Sequence, residues 1–61
     1  MSEIKSTHWT VHVLMPGKHW NEYEGESKGE AYQAANTWEK EEATQQVTIW
    51  KDGTLWETRS K

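Results

Sequence analysis

The sequence contains no cysteine and no phenylalanine, has the single proline Pro16, and holds no apolar run near the length of about 20 residues that a membrane span requires. Without thiols there is no disulfide framework, no thiolate metal site and no cysteine nucleophile, so a chain of 61 residues must fold with no covalent staple. A block of basic residues is missing too. Seven Lys and Arg stand against ten Asp and Glu, for a net charge of −3. That balance does not indicate a nonspecific electrostatic grip on a phosphate backbone, and it is too mild for a mimic of DNA. The opening residues MSEIKSTHW lack the apolar stretch of a secretory signal, so a cytoplasmic location is expected.

What the chain does have is indole. Five Trp and two Tyr stand in a sequence that is only 33% hydrophobic, so a few large rings must supply much of the buried area. A single domain of this size removes only about 60% of its unfolded surface from water, which leaves its stability marginal and favours oligomerisation.

Residues 1–6 are polar and without period, and are read as a flexible N-terminus, with one α+β domain over residues 7–61. From Thr7 to Met15 apolar and polar positions alternate: Trp9, Val11, Val13 and Met15 on one side, His8, Thr10, His12 and Leu14 on the other. This predicts a half-buried strand. Pro16-Gly17 marks a turn, and a second strand over about His19–Glu24 should complete a hairpin. Its alternation is poor, because strict period two sends Trp20 one way and Tyr23 the other.

The helix is the clearest element. Ser27 with Glu30 three positions on is the capping-box pattern, in which each side chain satisfies the other residue's backbone N–H. Ala31, Ala34, Ala35 and Trp38 then fall at helical spacing, a stripe of small residues that lets a helix sit close on a sheet. Glu39, Glu41 and Glu42 crowd the end where the helix dipole disfavours anions, which reads as a solvated end rather than a site for a cationic partner. Gln46–Lys51 and Thr54–Arg59 form a second hairpin about Asp52-Gly53. The expectation is a small β-β-α-β-β domain: one four-stranded sheet with a single helix packed on one face.

In the stretch TIWKDGTLWE, Val47 and Ile49 share one face of their strand and Trp50 takes the other. A two-residue turn at Asp52-Gly53 pairs Trp50 with Leu55 on the outer face; a three-residue loop puts Trp50 and Trp56 there together. Spacing leaves both registers open, and both leave an apolar patch on the helix-free side.

The runs HVLMPGKHWNEYEGES, EAYQAANTWEKE and VTIWKDGTLWETRS together resemble a family of short bacterial and phage domains of unknown function. The matching positions are Trp20, Gly25, Glu30, Ala31, Ala34, Ala35, Val47, Ile49, Asp52, Gly53, Leu55 and Glu57. The resemblance implies the same β-β-α-β-β fold and brings no catalytic residue. It also implies Leu55 inward with Trp50 and Trp56 outward. The extra indoles Trp9, Trp38, Trp50 and Trp56 depart from the family pattern.

An indole left wet forgoes about 2–3 kcal/mol, a large sum for a marginal domain, so the helix-free face is expected to be covered. The alternative is that Trp50 lies flat against its own strand neighbours. The candidate binding surface comprises Trp50, Trp56, His12, Leu14, Tyr23 and Lys51. Catalytic chemistry is not indicated: there is no nucleophile elbow, no Gly-rich phosphate loop, and Glu22, Glu24 and Glu26 form a charge run rather than an opposed pair. No cofactor and no metal is expected either. His8 and His12 share a face but stand roughly 13 Å apart at about 3.3 Å per residue, and His19, even if it approaches across the hairpin, would complete only a pair. The expected function is a non-catalytic protein–protein interaction module, homodimeric through the open face, of the sort a phage or mobile element uses to modulate a host protein. The alternative is a single-stranded nucleic-acid binder that stacks bases on Trp50 and Trp56 with Lys51 and Arg59 between them.

Overall fold

The computed structural model describes residues 7–60, and the expected flexible segment 1–6 lies outside them. Strands β1 (Trp9–Met15) and β2 (Lys18–Gly25) are followed by helix α1 (Lys28–Glu39) and strands β3 (Gln46–Lys51) and β4 (Thr54–Ser60). The strands form one sheet in the order β2-β1-β3-β4, every neighbouring pair antiparallel, with α1 crossing one face between β2 and β3. The α+β architecture read from the sequence is the architecture found.

Local chemistry accounts for each element. Gly17 at φ +74° lets Met15 pair directly with Lys18. Asp52 and Gly53 both take positive φ, 51° and 81°, which identifies the tight two-residue turn whose twist matches a hairpin. At the helix start the Ser27 hydroxyl accepts from the Glu30 amide at 3.2 Å. The Glu30 carboxylate does not close the box: it accepts instead from the Tyr23 hydroxyl, which in turn accepts from the Ser27 amide at 3.3 Å. The capping box is thus completed through the phenol of β2.

Trp9 and Val11 of β1 and Val47 and Ile49 of β3 are buried beneath Ala31 and Ala35, with Tyr23, Tyr32 and Trp38 packed around their margin, and Val13 of β1 is buried as well. Alanines at the contact remove the side-chain spacer, so the helix backbone comes close enough to cover the β-branched row.

Two β-bulges correct the alternation expected from sequence. In β2, Val11 pairs with Tyr23 and His12 with Asn21, so Glu22 is the extra residue, and Trp20 and Tyr23 both end on the helix side. There Trp20 meets Trp38 edge-on at 5.3 Å. In β4, Ile49 pairs with Glu57 and Trp50 with Leu55, which makes Trp56 the extra residue. Leu55 therefore points away from the helix, against the implication of the family resemblance, and Trp56 points toward it.

Candidate functional site

The helix-free face carries His8, Thr10, His12 and Leu14 from β1 and its approach, His19, Asn21 and Glu24 from β2, Gln46, Thr48 and Trp50 from β3, and Leu55, Thr58 and Ser60 from β4. Trp50 is held in place: its Nε1–H donates to Thr48 Oγ1 at 3.1 Å, and the His12 ring lies 5.9 Å away. These contacts half-bury it. The wettest apolar groups on the face are its cross-strand partner Leu55, 49% exposed, and Leu14, 37% exposed. His12 also approaches His19, with ring centroids 5.4 Å apart, beside a shallow depression of about 340 Å³ that Leu14, Gln46 and Thr48 help to line.

This face is electrically quiet. Among the described residues it presents no Lys or Arg, and its one carboxylate, Glu24, lies 3.3 Å from His8 Nε2 and 3.4 Å from Asn21 Nδ2.

Of the six residues expected to form one surface, the structure brings together Trp50, His12 and Leu14 and places Tyr23, Trp56 and Lys51 on the other side of the sheet. Tyr23 is the capping phenol described above. Trp56 donates from Nε1 to the Tyr32 hydroxyl at 3.0 Å and meets Trp9 edge-on at 5.6 Å. Lys51 follows Trp50 and so turns inward by strand alternation, with its Nζ 4.7 Å from the Trp56 ring. Lys28 Nζ reaches the same ring at 5.8 Å.

Along β4, Glu57 accepts from the Tyr32 hydroxyl at 2.8 Å and from Arg59 Nε at 2.9 Å. The bond from Arg59, followed by that from Tyr32, holds the Glu57 carboxyl below its ordinary value, and the Glu57 partnership raises the Arg59 guanidinium in turn. Arg59 Nη1 also contacts Glu39 at 3.0 Å and donates to Asn36 Oδ1. The acidic helix end, expected to be merely solvated, thus has an internal cation in β4 at Glu39. Arg59 is fully committed there and is not available as a basic group on the helix-free face.

Two residues escaped the sequence reading. Tyr32 lies one position off the alanine stripe, yet its hydroxyl joins Trp56 to Glu57. Spacing alone makes His19 only a possible neighbour of His12, and the diagonal placement His12↔Asn21, Leu14↔His19 is what brings it beside that ring. Among the described residues no helix is long and apolar enough to cross a membrane, and no three His, Cys, Asp or Glu residues gather as a metal-binding group.

No family model, curated protein or solved structure matches the chain, so the likeness to short bacterial and phage domains rests on the quoted residues alone.

Proposed function

We propose that this chain is a non-catalytic protein–protein interaction module that associates with a second copy of itself through the helix-free sheet face. The observation that carries the reading is the combination on that face of Leu55, Trp50 and Leu14 with no Lys or Arg among the described residues. Two such faces brought together bury apolar area without opposing Lys or Arg, with each copy's Glu24 beside its own His8, and a chain this small gains proportionately from any further burial.

The dimensions set the strength. Four strands about 4.8 Å apart and about seven residues long give a face of roughly 19 by 23 Å. That falls at the small end of specific interfaces, so the dimer exchanges with monomer as concentration changes. Stacking of single-stranded nucleic acid is less well supported, because it needs cations interleaved with rings. Lys51 and Arg59 are engaged on the opposite side.

Light scattering over a concentration series tests the reading. The average mass should rise from one chain toward two, and Leu55→Glu should hold it at one chain while circular dichroism stays native, since Leu55 is already half exposed. A wild-type chain that stays monomeric throughout the series overturns it.

A further inference from the structure

We propose that His12 and His19 form a chelating site for a borderline divalent transition metal, Zn²⁺ or Ni²⁺, on the helix-free face. The two imidazoles come from adjacent antiparallel strands at diagonal positions, and their centroids stand 5.4 Å apart with the rings inclined at 49°. With metal–nitrogen bonds of about 2.0–2.1 Å along each ring axis and a tetrahedral angle, two imidazoles sharing one ion have centroids roughly 5.2 Å apart. The observed centroid separation therefore lies close to that of two imidazoles on a shared ion, and ring rotation, which is soft for histidine, would turn a nitrogen of each toward it.

The surroundings select the class of ion. The depression beside the pair is lined by neutral groups, Leu14, Gln46 and Thr48, and Glu24, the one carboxylate of the face among the described residues, is engaged with His8. Imidazole nitrogen without carboxylate suits Zn²⁺, Ni²⁺ or Cu²⁺ and not Mg²⁺ or Ca²⁺. Two protein ligands leave coordination positions open toward solvent, where water fills them in a lone chain. His8 is not part of the site: it lies four residues from His12 along β1's approach, roughly 13 Å at the rise of an extended strand.

The site does not depend on self-association, although the same pair from a second copy would complete a four-imidazole set. The test uses the untagged full chain titrated with Zn²⁺ and with Ni²⁺ by calorimetry. Saturable binding is expected, and His12→Gln and His19→Gln should each weaken it at least about tenfold, since even outer-shell partners are worth that much. His8→Gln should leave affinity unchanged. His8 and His19 are exposed and His12 is half-buried, and a native circular-dichroism spectrum confirms that each variant folds. A stoichiometry of one ion per chain or one per two chains supports the site equally, and light scattering with and without Zn²⁺ separates them. Absence of saturable binding, unchanged affinity in His12→Gln or His19→Gln, or an equal loss in His8→Gln overturns the proposal.

Discussion

The indole of Trp56 donates to the Tyr32 hydroxyl on the helix, while Trp50, which precedes it by six residues, bonds to Thr48 on the opposite face of the sheet. The two tryptophans that flank the Asp52-Gly53 turn therefore serve different ends. One closes the edge of the core and the other helps form the open face.

Their substitutions should separate accordingly. Trp56→Ala removes a hydrogen bond, an edge contact with Trp9 and the platform under two lysines, and should cost about 2–3 kcal/mol of stability, read from the urea midpoint of a dilute sample. It should leave the concentration dependence of the mass in place. Trp50→Ala should do the reverse, shifting the mass toward monomer with a smaller loss of monomer stability.

Gly25 pairs with Trp9 at the end of β2, where an added Cβ would lie 2.6 Å from Tyr23 Oη and 3.0 Å from its Cζ. The ring cannot retreat without leaving Ser27 and Glu30. Gly25→Ala should therefore destabilise by about 1–3 kcal/mol through overpacking and loss of the cap. The penalty should shrink in a Tyr23→Phe background, which a double-mutant cycle measures.

Thr44, in the connection from α1 to β3, is 2% exposed and its Oγ1 has no hydrogen-bond partner. An unpaired buried hydroxyl is unfavourable, and valine keeps the branched shape without it. Thr44→Val should raise stability by about 1 kcal/mol, seen as a higher melting temperature.

The Glu57 carboxyl sits below its ordinary value because Arg59 and Tyr32 bond its charged form. A depressed folded value means that Glu57 adds stability at pH above the unfolded value of about 4.3, and that this contribution fades as pH falls through the folded value. Urea midpoints of wild type and Glu57→Gln should differ most near neutral pH and converge on acidification below about pH 4. A constant difference down to pH 2 would show that the bonds matter without their charge.

Much of the fold was legible because it rests on local signals. Ser27 and Glu30 announced the helix start, Ala31 and Ala35 its buried stripe, the run from Trp9 to Val13 a strand with one dry side, and Pro16-Gly17 and Asp52-Gly53 the turns. The candidate surface was legible only in part. Period two counts residues without knowing where one is skipped, and nothing in Asn21-Glu22-Tyr23 or Leu55-Trp56-Glu57 marks a bulge. Three of the six residues assigned to the open face were misplaced in consequence of such counting or of an inward-turning neighbour.

The sequence by itself determined the element order and the identity of the central core, since capping, turn conformation and side-chain periodicity act over a few residues. Tertiary structure alone decided which aromatics share a face. A bulge forms where the whole ladder gains by it: skipping Glu22 brings Tyr23 to the helix cap, and skipping Trp56 brings both Trp56 and Glu57 to Tyr32. Those gains are contacts across 4 to 25 positions of chain, some of them between separate elements, and only the folded packing of α1 on the sheet supplies them.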